Sequence, residues 1–134
     1  MNILLTGGAG YIGSHTATML TSLGHHVVVY DNLSNSNVDV LDKLAQITQQ
    51  HIPFVKADVR DTKLLESTIE SHDIEAVIHF AGLKAVGESV EHPVDYYANN
   101  VQGTISLLQA MQSKFVKKLV FSSSATVYGQ PKYL

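Results

Sequence analysis

The stretch Thr6-Gly7-Gly8-Ala9-Gly10-Tyr11-Ile12-Gly13 restricts the fold of this chain more than any other. The apolar run Ile3-Leu4-Leu5 leads into it, and Ile12, Thr16, Leu20 and Leu23 follow at helical spacing. Strand, glycine turn and helix in that order predict a βα unit. Gly8, Gly10 and Gly13 satisfy G-x-G-x-x-G, and Gly7, Gly10 and Gly13 satisfy the wider G-x-x-G-x-x-G. In such a turn one glycine takes a positive φ, another lets backbone approach a pyrophosphate, and the last lets helix pack on strand. The helix then aims unpaired N–H groups and the positive end of its dipole at the phosphates. An ordinary glycine-rich turn can carry the same residues, so the rest of the chain must decide.

Strand and helix patterns alternate beyond the turn. Strands are predicted near 2–6, 27–30, 52–56, 76–80 and 119–121. Helices are predicted over 11–23, 38–49 and, capped by Asp61, a segment with Leu64, Leu65, Thr68 and Ile69 on one side. A long helix opens at Pro93 and carries Val94, Tyr97, Val101, Ile105, Leu108 and Met111 at steps of three and four. The segment from Ala81 to His92 reads as a loop. Five strands alternating with helices predict an α/β, Rossmann-like parallel sheet with helices on both faces. Right-handed crossovers give the order 3-2-1-4-5, with functional residues at the carboxyl ends of the strands.

Composition removes several function classes. The chain has 134 residues, enough for one domain, with 45% hydrophobic and 16% charged residues and a net charge of −3. No Lys/Arg cluster suggests nucleic acid, and no apolar run reaches the length of a membrane span. With no basic leader at the amino terminus, a cytoplasmic protein is expected. The absence of cysteine excludes disulfides, thiolate metal sites and thiol nucleophiles. Seven histidines are present, but only His25-His26 adjoin and no H-E-x-x-H occurs, so no metal is expected. His79, inside an apolar strand, reads as a core histidine with its hydrogen bonds satisfied.

The strand ends supply the candidate ligands. Asp31 closes the second strand about 20 residues past the turn, where an acidic side chain can accept ribose hydroxyls. The following loop, 32–37, has no Lys or Arg to meet a 2′-phosphate, which favours NAD over NADP. Asp58 can accept an adenine amino group with Val59 packed on the ring; a helix cap or a solvated turn fits its spacing almost as well. Phe80, Ala81 and Gly82 can let backbone approach a cofactor. Lys84 can reach a ribose hydroxyl or be a surface lysine. Asn99 and Asn100 lie within an apolar helical pattern, and one of them is expected to bond across to strand four rather than do chemistry. Ser124, in the cluster after strand five, is the candidate for hydrogen bonding to a substrate; a polar strand end is its ordinary alternative.

Longer motifs join these points. They are Thr6 to His15, Asp31-Asn32-Leu33, His79-Phe-Ala-Gly-Leu-Lys-Ala-Val-Gly-Glu-Ser89, Tyr96-Tyr97-x-Asn99-Asn100 and Ser122-Ser-Ser-Ala-Thr-Val-Tyr-Gly129. Over essentially its whole length the chain resembles the extended short-chain dehydrogenase/reductase family, in its branch of UDP-sugar 4-epimerases. The resemblance implies bound NAD that takes a hydride from C4 of UDP-galactose or UDP-glucose and returns it to the opposite face of the 4-keto sugar. It implies an NAD site at Gly7, Gly10, Tyr11, Ile12, Gly13, Asp31, Asn32, Asn35, Asp58, Val59, Phe80, Ala81, Lys84 and Asn99. Ser124 would hold the C4 oxygen and help relay its proton. Ala125 and Thr126 stand where related dehydratases carry acidic residues, which disfavours dehydration.

The family's base is a tyrosine in Tyr-x-x-x-Lys on the helix after strand five. The one such spacing here, Tyr128 to Lys132, contains Gly129 and Pro131 and does not suit a helix interior. The chain therefore reads as an NAD-binding domain, 1–134, that ends before the proton-transfer pair and the substrate domain. Alone it is expected to be inactive, and to self-associate through the apolar edge Leu119-Val120-Phe121. The whole protein is expected to be a homodimer. The alternatives are a non-catalytic NAD-binding module and another nucleotide-sugar enzyme of the same family.

Overall fold

The computed structural model describes residues 1–124 and Gly129. Its elements run β1 (Asn2–Thr6), α1 (Tyr11–Ser22), β2 (His26–Asp31), α2 (Asp39–Thr48), β3 (Phe54–Lys56), α3 (Thr62–Ser71), β4 (Ala76–His79), α4 (Val86–Glu91), α5 (Pro93–Tyr96), a π-helical segment (Tyr97–Gln102), α6 (Gly103–Ser113) and β5 (Lys118–Phe121). The strands form one sheet in the order β3-β2-β1-β4-β5. Every pair is parallel: Ile3 lies opposite Val27 on one side and Ala76 on the other. Both the expected order and the direction hold.

The alternation of β1 builds two cores. Leu4, with Val28 and Val77, faces Leu65 and Ile69 of α3 and Leu107, Ala110 and Met111 of α6. Ile3 and Leu5, with Val27 and Val29, face Ala17 of α1 and Leu44 of α2. A strand buried on both faces needs apolar residues at successive positions, which is why β1 and β2 read as unbroken runs.

The helices depart from the sequence reading in their faces. In α1 the buried residues are Gly13, Ala17 and Thr21, while Ile12, Met19 and Leu23 are exposed. Small side chains seat this helix close to the sheet, so a search for large apolar residues picks the wrong stripe. Likewise Val94, Tyr97, Val101, Ile105 and Leu108 face outward, and the core face of α6 is Gly103, Ser106, Leu107, Ala110 and Met111. The stretch after Pro93 is not one uniform α-helix, because its middle widens into the π-helical segment. Part of the expected loop before it is helical as α4, which buries none of its residues and so has no periodic signal. Asp61 caps α3 as expected, its carboxylate accepting from Leu64 N at 3.0 Å.

Candidate functional site

The turn after β1 is fixed by backbone. Gly7 N donates to Tyr30 O at 2.8 Å, and Gly10 N to Gly7 O at 3.2 Å. Gly7 has φ +69°, and a Cβ there would stand 2.5 Å from Ala81 N. A Cβ on Gly13 would meet Gly7 O at 2.6 Å and Gly8 Cα at 2.7 Å. Both glycines therefore hold the turn tight against β4 and α1. No side chain caps α1, and no acidic residue occupies its first turn. Its leading N–H groups stay open toward an anion.

Asp31, 9% exposed, joins this turn to the loop after β2. Its Oδ2 accepts from Ala9 N at 3.0 Å, and its Oδ1 from Leu33 N at 2.8 Å and Ser36 Oγ at 3.2 Å. A carboxylate offers about four lone-pair sites, so acceptor capacity remains. It lines a cleft of about 250 Å³ at the carboxyl end of the sheet. Gly7, Gly10, Tyr11, Asn32, Asn35, Val59, Phe80, Ala81 and Asn99 line the same cleft. Among the described residues no Lys or Arg does.

The remaining expected cofactor residues stand elsewhere. Gly13 acts through packing, and the Ile12 side chain points away from the sheet's core and does not line the cleft. Asp58 does not line it either. Its carboxylate is gripped by Arg60, Nε to Oδ1 at 2.9 Å and Nη2 to Oδ2 at 2.7 Å, with Arg60 N also on Oδ1 at 2.9 Å. Those bonds outweigh partial burial and lower its pKa to about 2. Tyr30 donates its hydroxyl to Asp58 O at 3.0 Å; burial, then the charges of Asp61 and Asp58, push its phenol pKa up and keep it a donor.

Lys84 and Ser124 meet in a second cavity, of about 430 Å³, that shares Ala81, Gly82 and Leu83 with the first. Ser122 and Ser123 line it from the end of β5, and Tyr96, Asn100 and Thr104 from the helical side. Tyr96 donates its hydroxyl to Glu88 Oε2 at 2.7 Å and accepts from Ala85 N at 3.1 Å, which ties α4 to α5. His79 is the satisfied core histidine expected of it: 2% exposed, with Nδ1 2.5 Å from Thr6 Oγ1 and Nε2 3.1 Å from Thr104 Oγ1. Of the two asparagines, Asn100 bonds across with its side chain, though to Leu83 in the loop that follows β4 and not to the strand itself. Ala125, Thr126, Tyr128 and Lys132 lie outside the described residues.

This glycine cradle, with an acidic strand end beside it, is a nucleotide-binding geometry. Residues 4–134 match the family described as GDP-mannose 4,6 dehydratase. The chain belongs to the GDP-mannose 4,6 dehydratase family. This family member is 55% identical, over 98% of its length, to the UDP-glucose 4-epimerase of Bacillus subtilis (strain 168), and 54% identical over 100% to that of Yersinia enterocolitica. It spans 39% and 40% of those relatives. Among solved structures it matches UDP-glucose 4-epimerase from Stenotrophomonas maltophila, with bound NAD and formylated UDP-arabinopyranose, at TM-score 0.96 and 50% identity. The match covers 99% of this chain and 40% of that one. The Bifidobacterium longum enzyme, in complex with NAD+ and UDP, matches at TM-score 0.96 and 48% identity over 100% of this chain and 40% of that one.

Several residues in or beside the site of this member of the GDP-mannose 4,6 dehydratase family escaped the sequence reading. Ser34 and Ser36 line the first cleft beside Asn32 and Asn35, in a loop from which only the two asparagines are expected as ligands. Arg60 carried a signal that was open to use, because a cation two residues past a turn aspartate can chelate it. Gly103 carried none: only the fold shows that a Cβ there would stand 2.5 Å from Val59 Cγ1.

Proposed function

We propose that this chain is the NAD-binding part of a UDP-glucose 4-epimerase, which interconverts UDP-galactose and UDP-glucose. The observation that carries the reading is the cleft that brings the open turn at Gly7 and Gly10 together with Asp31. A cofactor pyrophosphate fits the turn, where side chains are absent and α1 offers N–H groups. Asp31 retains acceptor capacity for ribose hydroxyls, and no described cation lines the cleft for a 2′-phosphate. NAD, when bound, supplies the hydride acceptor and donor for inversion at C4. Tyr11, Asn32, Asn35, Val59, Phe80, Ala81 and Asn99 are proposed to hold it, Ile12 through its backbone N–H at the start of α1, with Asp58 and Gly13 setting the backbone around it. Lys84 and Ser124, in the adjoining cavity, are proposed to orient the nicotinamide end and the sugar C4 oxygen.

The family's description names a dehydratase, whereas the relatives at 54–55% identity are named epimerases, and Ala125-Thr126 supports the latter. A role in galactose metabolism and a cytoplasmic location go with that substrate pair. The whole protein is proposed to be a homodimer. A coupled assay on the full product of the gene tests the reaction: conversion of UDP-galactose to UDP-glucose supports it. Bound NAD without turnover of any nucleotide sugar would favour a non-catalytic module. The 134 residues alone are expected to give no turnover, and more than a trace would contradict that expectation.

A further inference from the structure

The wall shared by the two cavities is residues 81–83, and it hangs on one amide. Asn100 Oδ1 accepts from Leu83 N at 2.8 Å, and Asn100 Nδ2 donates to Leu83 O at 2.9 Å. The pairing fixes the amide's orientation, because the N–H needs an acceptor and the C=O a donor. Asn99 Nδ2 also donates to Asn100 Oδ1, at 3.0 Å. Both asparagines lie in the π-helical segment, whose wider turn lets consecutive residues serve the two cavities: Asn99 lines the first and Asn100 the second.

Behind Asn100 the hydrogen bonds have a direction. Thr104 Oγ1 lies 2.6 Å from Asn100 O, and a carbonyl only accepts, so the hydroxyl proton is spent there. Toward His79 Nε2, 3.1 Å away, Thr104 must accept, so Nε2 carries the ring proton. His79 Nδ1 is then bare and accepts from Thr6 Oγ1 at 2.5 Å. Burial, then the nearby charge of Lys84, lowers the His79 pKa to about 4, so the ring is neutral near pH 7. The string thus runs from β1 through β4 to the helix with every proton assigned.

We infer that the one-way string Thr6–His79–Thr104–Asn100 sets the position of the Leu83 wall, and that Thr104 and Asn100 are positioning residues for cofactor binding. None of the string is among the residues proposed above to touch the cofactor. Its effect on affinity rests on the NAD reading; its effect on the wall does not.

The test compares Thr104→Val, which removes the hydroxyl at nearly constant shape, with Thr104→Ser, which keeps it. Hydrogen exchange by mass spectrometry would follow the wall segment, residues 80–85, against strand residues 27–30. The same proteins would be titrated with NAD+. Thr104→Val should speed exchange of residues 80–85, leave 27–30 at the unmutated rate, and weaken NAD+ binding by roughly tenfold. Thr104→Ser should restore both. Unchanged exchange at 80–85, equal acceleration of both segments, or failure of serine to rescue would overturn the inference. If the unmutated chain binds no NAD+, the cofactor reading fails and the exchange comparison still decides the string. Should the valine variant not fold, Asn100→Asp, which cannot donate to Leu83 O, would be compared in the same way.

Discussion

Gly7 meets two demands at once: a φ of +69° and the backbone of Phe80 and Ala81 within 2.5–2.8 Å of any added Cβ. Gly7→Ala is therefore expected to cost roughly 2–5 kcal/mol of stability, from strain and overpacking together, measured by urea unfolding. A loss below about 1 kcal/mol would mean that the turn relaxes freely. His79 gives a second prediction. Its pKa falls from 6.5 to about 4 on folding, so between those values the unfolded chain binds more protons. Its contribution is complete above pH 6.5 and is lost as pH falls toward 4, by up to roughly 3 kcal/mol. In His79→Gln that part of the slope of stability against pH should vanish; an unchanged slope would refute the assignment. Gly7, Asp31 and His79 were legible in the sequence because backbone spacing and strand burial dictate them. The partner of Asp58 went unread although Arg60, two residues on, offered it, because such a local pair leaves no periodic trace.

At the scale of elements, the succession of strands and helices was legible, whereas the faces of the helices were not. Periodicity marks where apolar residues recur, but α1 packs through Gly13, Ala17 and Thr21, and the apolar stripe of the 93–112 stretch points outward. The π-helical segment shifts the register between α5 and α6, so one continuous 3.6-residue pattern cannot describe both. Gly103 is where this matters for the site. It brings α6 against Val59, which lines the first cleft. Gly103→Ala should lower stability by about 1–3 kcal/mol and weaken NAD+ binding together, read by thermal unfolding and titration. A loss of stability with full affinity would show that α6 moves without disturbing Val59.

For the whole molecule, the sheet order followed from alternation and crossover handedness, which act on the chain regardless of side-chain detail. β5 is the outer strand among the described residues, and its Val120 and Phe121 are 60% and 55% exposed. With the outward stripe of Tyr97, Val101, Ile105 and Leu108, this predicts concentration-dependent self-association of the 134 residues. Sedimentation would check it, and a clean monomer across micromolar concentrations would contradict it. We hold the cleft between the glycine turn and Asp31 to be an NAD site. Calorimetric titration of the chain with NAD+ and with NADP+ tests it most directly. One NAD+ should bind per chain, with NADP+ at least about tenfold weaker because its 2′-phosphate meets Asp31 and no described cation. No binding of either, or equal binding of both, would contradict the claim.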